Sequence, residues 1–252
     1  MTQDFYDRLA PYYHLLYPNW EASITRQSQG LGRVLDEFGV APGRPILDAA
    51  CGIGTQALGL ARLGYKVTAS DISSAAVARA RAEAEVRDLA IAFAVADLRQ
   101  LSREFDVQFA AVIACDNAIP HLLSDEEIGA AFVECRRLLE PGGVFLVSVR
   151  DYAAIERRTP DHHPYGTRTV GDCTYTAEQI WRWEGDQYDL ALRLTEQRPD
   201  EPPMVHEFHS RYYAVALSTL ERLLRESGFA LVARRDEHFF QPLLVAVNVP
   251  AR

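Results

Sequence analysis

The sequence predicts an α/β protein: a doubly wound, mostly parallel seven-stranded sheet with helices on both faces, carrying a small antiparallel β insertion. Three observations predict it. Between residues 46 and 150, short and almost wholly apolar runs alternate with helical runs, as strands do when crossover helices bury both faces of a parallel sheet. After Arg150 the pattern becomes polar/apolar alternation broken by turn residues, which suits antiparallel strands with one solvated face. The chain then returns to one helical run and two apolar runs.

The elements follow in order. Residues 1–20 gather Phe5, Tyr6, Tyr12, Tyr13, Tyr17 and Trp20, and Ile24, Leu31, Val34, Leu35 and Phe38 continue at helical spacing. A Gly39 to Pro45 break precedes a first strand ending at Asp48. Helices are expected over Gln56 to Leu63, Ser74 to Arg87 (with Ser73 or Ser74 as N-cap) and Asp125 to Leu139. Between them lie strands at Lys66 to Asp71, Ile91 to Ala96, Phe109 to Cys115 and Val144 to Val149. A meander of three strands is expected at Arg168 to Trp183, Tyr188 to Gln197 and Val205 to Val215. A helix over Leu217 to Glu226 and an antiparallel pair, Phe229 to Arg235 with Leu243 to Val249, complete the main sheet. The expected organisation is an aromatic and helical lid segment (1–45), an α/β core (46–150), an antiparallel β insertion acting as a lid (151–215) and a C-terminal completion of the core (216–252).

Composition narrows the function. With 26 Lys and Arg against 35 Asp and Glu, the net charge is −9, and no basic run offers a nucleic-acid surface. The four cysteines, Cys51, Cys115, Cys135 and Cys173, are far apart and form no paired motif, so reduced thiols in a cytoplasm are expected. The N-terminus has no apolar signal core, and no apolar run approaches the roughly 20 residues of a membrane span. A cytoplasmic protein acting on a small molecule is expected, with no nucleic-acid or membrane partner and a homo-oligomer left open. The adjacent histidines of Asp161-His162-His163-Pro164 are a poor metal site and are read as an exposed loop; no metal is expected.

The chemistry starts at the loop Asp48-Ala49-Ala50-Cys51-Gly52-Ile53-Gly54-Thr55. A strand running into a glycine turn and a helix lets a ligand approach the main chain closely. Two glycines alone fit a tight turn as well. Asp71, ending the second strand, is placed to accept hydrogen bonds from both hydroxyls of a ribose. Asp97, after the third, can accept one from an exocyclic amine, with Ile72 and Leu98 as apolar surface for a base. Together they describe an adenosine site at the carboxyl edge of the sheet. A nicotinamide dinucleotide is the rival, since Gly52-x-Gly54-x-x-Ala57 also fits the relaxed dinucleotide fingerprint. Against it stand the 45 residues before the first strand, a carboxylate at Asp48 where a pyrophosphate would lie, and the idle Asp97.

With these residues the chain resembles the class I S-adenosylmethionine (SAM)-dependent methyltransferases, and among them the glycine and glycine/sarcosine N-methyltransferases. The resemblance implies SAM as cofactor and S-adenosylhomocysteine as product. It implies main-chain contact near Ala50 to the methionine part, ribose at Asp71 and adenine at Asp97-Leu98. Asp116-Asn117 and His121, within Val112 to Leu122, resemble the family's fourth-strand motif; there the family has glycine in place of Asp116. Cys115 and His121 are assigned to the cofactor side of that motif, Asp116 and Asn117 to the acceptor. Arg26 is similar to the arginine that pairs with the SAM carboxylate, and Tyr6 and Tyr17 to the tyrosines that close over the site. Arg150, with Tyr152 after it, resembles the arginine that grips a substrate carboxylate, and Arg211-Tyr212-Tyr213 a further aromatic segment. Tyr6, Asn117 and Tyr213 are the candidate catalytic residues, and Arg150, Tyr152 and Tyr212 the candidate acceptor contacts.

The expected reaction is methyl transfer from SAM to a small nucleophile, an amine or amino acid. An O-methyltransferase, a dinucleotide oxidoreductase and a silent SAM-binding protein remain the alternatives. For Arg150 a strand-end salt bridge with Asp151 or Asp172 is the plain alternative, and for each tyrosine simple packing is.

Overall fold

A computed structural model describes residues 2–249. Seven strands form the main sheet: β1 (Pro45–Asp48), β2 (Lys66–Asp71), β3 (Ala92–Val95), β4 (Phe109–Ala114), β5 (Leu139–Ser148), β10 (Leu231–Arg234) and β11 (Leu243–Val247), in the order β10-β11-β5-β4-β1-β2-β3. The pairs β1–β2, β1–β4, β2–β3 and β4–β5 are parallel, and β11 runs antiparallel to both β5 and β10. The expected sheet and its antiparallel terminal pair are thus observed. Chain order reverses between β1 and β4, so a crevice opens where their carboxyl ends diverge.

Helices α2 (Trp20–Glu37) and α3 (Thr55–Arg62) cover one face of the sheet, where Leu31, Val34 and Leu60 pack on Ile46, Ile113 and Leu146. On the other face α5 (Asp125–Arg137) and α6 (Leu217–Glu226) bury Phe132, Leu220 and Leu224 against Leu47, Val112 and Phe145. Every residue of β4 is buried, as its unbroken apolar run requires. Helix α4 (Ser74–Val86) is capped by the Ser73 hydroxyl, which accepts a hydrogen bond from the Ala76 amide.

The insertion is larger than expected. It has four antiparallel strands, β6 (Asp161–Val170), β7 (Cys173–Glu184), β8 (Gln187–Gln197) and β9 (Met204–Tyr213), in sequential order. The run expected as one strand from Arg168 to Trp183 is a hairpin, turning at Gly171 with φ +58°. Its two-residue turn interrupts the alternation too briefly to be seen in the sequence. Asp161 to Pro164, expected in an exposed loop, are the start of β6 and pair with Glu178 to Trp181.

The N-terminal segment packs on the inner face of this second sheet. Phe5 and Leu9 of α1 (Thr2–Leu9), with Leu15 and Leu16, join Trp181, Tyr188, Leu192, Phe208 and Tyr212 in one buried cluster. Helix α1 lies between β9 and α4. Asp7 fixes it there: one carboxylate oxygen accepts hydrogen bonds from the Ser73 hydroxyl (2.6 Å) and the Ala75 amide (3.1 Å) at the N-terminus of α4. The sheet edge carrying the predicted site is therefore roofed by α1 and the second sheet.

Candidate active site

The predicted site residues lie at or just beyond the carboxyl ends of the parallel strands: Asp48 ending β1, Asp71 ending β2, Asp97 beyond β3, Asp116 and Asn117 beyond β4, and Arg150 beyond β5. The loop after β1 turns through Gly52 (φ +52°) and Gly54 (φ +93°) into α3. A side chain at Gly54 would also press on Ala80 and Leu58. Four of the loop's amides are bonded within the protein. Ala49, Cys51, Gly52 and Gly54 donate to Ile113 O, Ser70 O, an Asp71 carboxylate oxygen (2.8 Å) and Cys51 O. A pyrophosphate cradle needs outward N–H groups, so this loop shapes a wall.

Two chambers meet beneath the roof. The first, of about 380 Å³, runs along Ala49 to Ile53, Asp71, Ile72, Ala96, Asp97 and Leu98 to Cys115 and His121. It sets acidic and apolar groups side by side, as an adenosine requires. Asp71 is almost fully buried. Burial pushes its carboxyl above the ordinary range, and the amides of Ser73 and Gly52 oppose that shift. Arg99 forks onto both Asp97 oxygens and also reaches Glu127. Burial raises the Asp97 carboxyl, but Arg99 prevails and holds it below the carboxylate range. Behind the loop, Oδ2 of the buried Asp48 has no hydrogen-bond partner, and burial pushes this carboxyl up to about 7. The ribose-type acid Asp71, the mixed acidic and apolar lining and the chamber's size all fit SAM.

The second chamber, of about 390 Å³, is lined by Phe5, Leu9, Leu16, Asn117, Arg150, Tyr165, Gln179, Leu192 and Tyr212, and also by Arg26, Gln27 and Phe240. Tyr6, Tyr13, Tyr17 and Asp116 line both chambers and form their common wall. Burial first of all keeps the phenols of Tyr6, Tyr13, Tyr17 and Tyr212 well above their ordinary range, so they are protonated at neutral pH. A directed chain of hydrogen bonds ends at Asp116: Trp20 Nε1 donates to Thr55 (2.8 Å), Thr55 to the Tyr17 hydroxyl (3.4 Å) and Tyr17 to Asp116 Oδ2 (2.9 Å). The Tyr6 hydroxyl bonds His121 Nε2 at 2.7 Å, and Tyr212 packs on the imidazole at 4.1 Å between centroids. Burial, then the charge of Arg150, lowers His121 to about 3, so it stays neutral.

Residues 46–143 match a family described as a methyltransferase domain. The chain belongs to the class I SAM-dependent methyltransferases. It is 26% identical over 213 residues to the glycine/sarcosine N-methyltransferase of Aphanothece halophytica, an alignment covering 84% of this chain and 74% of that protein. Its fold matches a SAM-dependent methyltransferase from Clostridium acetobutylicum (TM-score 0.77, 16% identity, 98% of this chain and 99% of that one). It also matches the sugar N-methyltransferase KedS8 from Streptoalloteichus (TM-score 0.78, 18% identity, 94% and 93%). This methyltransferase therefore uses SAM and acts on a small molecule.

The methyltransferase brings most of the predicted residues onto the two chambers, with five departures, the first being Gly54, which turns the loop into α3 and lines neither. Tyr213 lines neither, because side chains alternate along β9: Tyr212 faces the site while Tyr213 donates to Asp125 on the other side. Tyr152 is buried behind the second chamber, where its hydroxyl bonds Asn117 (2.9 Å) and Tyr188 (3.1 Å). Arg26 lines the second chamber and not the first. Asp48 lies behind the loop and lines neither. Sequence reasoning passed over Tyr13, Gln27, Gln56, Arg99, Tyr165 and Gln179. Gln56 in the first chamber bonds Gln27 in the second at 2.7 Å. Neither glutamine sits in a motif, and only their pairing across two helices singles them out. No helix among the described residues is long and apolar enough to cross a membrane.

Proposed function

We propose that this enzyme methylates the nitrogen of a small amine or amino acid. Arg150 carries the reading. Its guanidinium lines the second chamber, bonds the Tyr165 hydroxyl at 3.3 Å and lies over the Trp181 ring at 5.2 Å. Among the described residues no carboxylate pairs with it, so neither Asp151 nor Asp172 takes the salt-bridge role. A partly buried cation without an anion is costly. Its planar fork suits a carboxylate held in one orientation.

SAM, when bound, supplies a methyl group on a cationic sulfur that is already a good leaving group. Asp71, Ile72, Asp97 and Leu98 would hold its adenosine; Ala50, Gly52, Cys115 and His121 would border its methionine part, with Tyr17 beside them. The chain's remaining work is alignment and exclusion of water, which the shared wall of tyrosines is placed to do. Asn117, braced by Tyr152 and accepting the Arg150 amide at 3.0 Å, would position the acceptor, with Tyr6 and Tyr212 facing it. The Aphanothece relative is named for glycine and sarcosine. The apolar side of the chamber at Leu9, Leu16 and Leu192 also leaves room for a larger side chain.

The test is a mass-spectrometric screen with SAM against glycine, sarcosine, the other amino acids, amino sugars, and carboxylic and phenolic acids. N-methylated products are expected. Arg150→Ala should raise the Michaelis constant of a carboxylate-bearing amine about 10- to 100-fold and leave S-adenosylhomocysteine affinity near wild type. Products methylated only on oxygen, or an equal loss of cofactor affinity, would overturn the reading.

A further inference from the structure

Asp116 stands where the backbone favours another residue. It and Asn117 hold consecutive left-handed conformations, with φ +59° and +67°. Glycine adopts this region freely; aspartate tolerates it better than most residues but at a cost. The amide of Asp116 is anchored on the Ser148 hydroxyl at 2.9 Å, and Oδ2 takes the Tyr17 hydrogen bond. Oδ1 has no hydrogen-bond partner among the described residues and is not sealed from solvent, unlike the orphaned oxygen of Asp48. The side chain lines both chambers, with Arg150 and the phenol of Tyr165 across the second. A conformationally costly carboxylate, held by one oxygen and open at the other, thus occupies the boundary that a methyl group must cross.

We infer that Asp116 binds the ammonium of the acceptor and removes its proton before methylation, a role that rests on the amine reading above. An acceptor R–NH3+ gives one proton to Oδ1, where a carboxylate lone pair forms the O–H bond. The N–H electron pair stays on nitrogen and forms the N–CH3 bond, while the S–CH3 pair leaves with the sulfur of S-adenosylhomocysteine. The product leaves as R–NH2+–CH3, and the Asp116 proton passes to water when the site opens. His121, kept neutral and already bonded to Tyr6, is turned away from this task. Burial raises the Asp116 carboxyl above its ordinary range, with the Tyr17 bond and Arg150 opposing, which brings it nearer the acidity a proton acceptor needs.

Two variants test this. Asp116→Asn keeps the shape and loses the base. Asp116→Gly loses the base and relieves the left-handed backbone. On the fastest amine in the panel both should lower kcat/KM about 100-fold or more, the range ascribed to a general base, with S-adenosylhomocysteine affinity within threefold of wild type. Asp116→Gly should melt no lower than wild type, which a merely structural role would not allow. Aminooxyacetate keeps a carboxylate for Arg150 but has a nitrogen largely unprotonated at neutral pH; its methylation should fall less than fivefold. If amines are methylated and Asp116→Asn stays within threefold of wild type, or if both classes of nitrogen suffer equally, the inference fails and the amine reading stands. If no amine is methylated, both fall.

Discussion

Tyr17 donates its phenol hydrogen to Asp116 across 2.9 Å, and so ties the segment before α2 to the carboxyl end of β4. The two residues are 99 positions apart. The bond closes one wall over both chambers and leaves a single carboxylate oxygen of Asp116 free. Tyr17→Phe removes this hydrogen bond to a charged group, and amine methylation should fall about 10-fold or more in kcat/KM. Steady-state kinetics on the fastest amine checks it, with an unchanged value showing the contact to be idle.

The roof has a latch. Asp7 holds α1 to the capped end of α4 through Ser73 and Ala75, and Thr2, Gln3 and Tyr6 of α1 line the first chamber. Asp7→Ala should lower stability by about 1 kcal/mol and speed S-adenosylhomocysteine release several-fold, since the roof must lift for exchange. Stopped-flow fluorescence and a melting curve measure the two effects. Lost stability with unchanged release would make Asp7 a cap and nothing more.

Asp71 accepts from the Gly52 and Ser73 amides at the edge of the first chamber, where the proposed ribose would share its carboxylate. Asp71→Ala should weaken S-adenosylhomocysteine binding by about 100-fold, as expected when a charged hydrogen-bonding partner is lost. Calorimetry that returns near-wild-type affinity would remove the ribose assignment.

Asp48 makes stability depend on pH. Its carboxyl rises in the fold to about 7 through burial, whereas an unfolded aspartate titrates near ~3.9. The native state therefore holds the proton more tightly. The contribution is complete below about pH 4 and is lost as pH climbs through about 7. Asp48→Asn cannot ionise, so its melting temperature relative to wild type should rise between pH 5 and pH 8. A difference that is flat across that interval would show Asp48 to be uncharged or solvated throughout.

Much was legible in the chain. Period-two and helical patterning gave the seven-stranded order of elements, because a strand buried on both faces leaves an unbroken apolar run and a covering helix leaves a striped one. The acids Asp71 and Asp97 were visible because each closes or follows such a run and must stand at the carboxyl edge, whereas Asp116 came from the family resemblance. The hairpin at Gly171 escaped, since two turn residues hardly disturb an alternation that continues on both sides. Tyr212 and Tyr213 were both expected in the site for want of a face: side chains alternate along a strand, so only one of two neighbours can enter it.

The sequence by itself determined the fold class, the family and the cofactor, since these depend on local patterning and on residues clustered at strand ends. The tertiary structure alone decided the division into two chambers, the wall of Tyr6, Tyr13, Tyr17 and Asp116 between them, and the absence of a carboxylate partner for Arg150 among the described residues. Those features are made by segments about a hundred residues apart, brought together when the aromatic N-terminus buries itself against the second sheet. Long-range packing of that kind leaves no period in the chain.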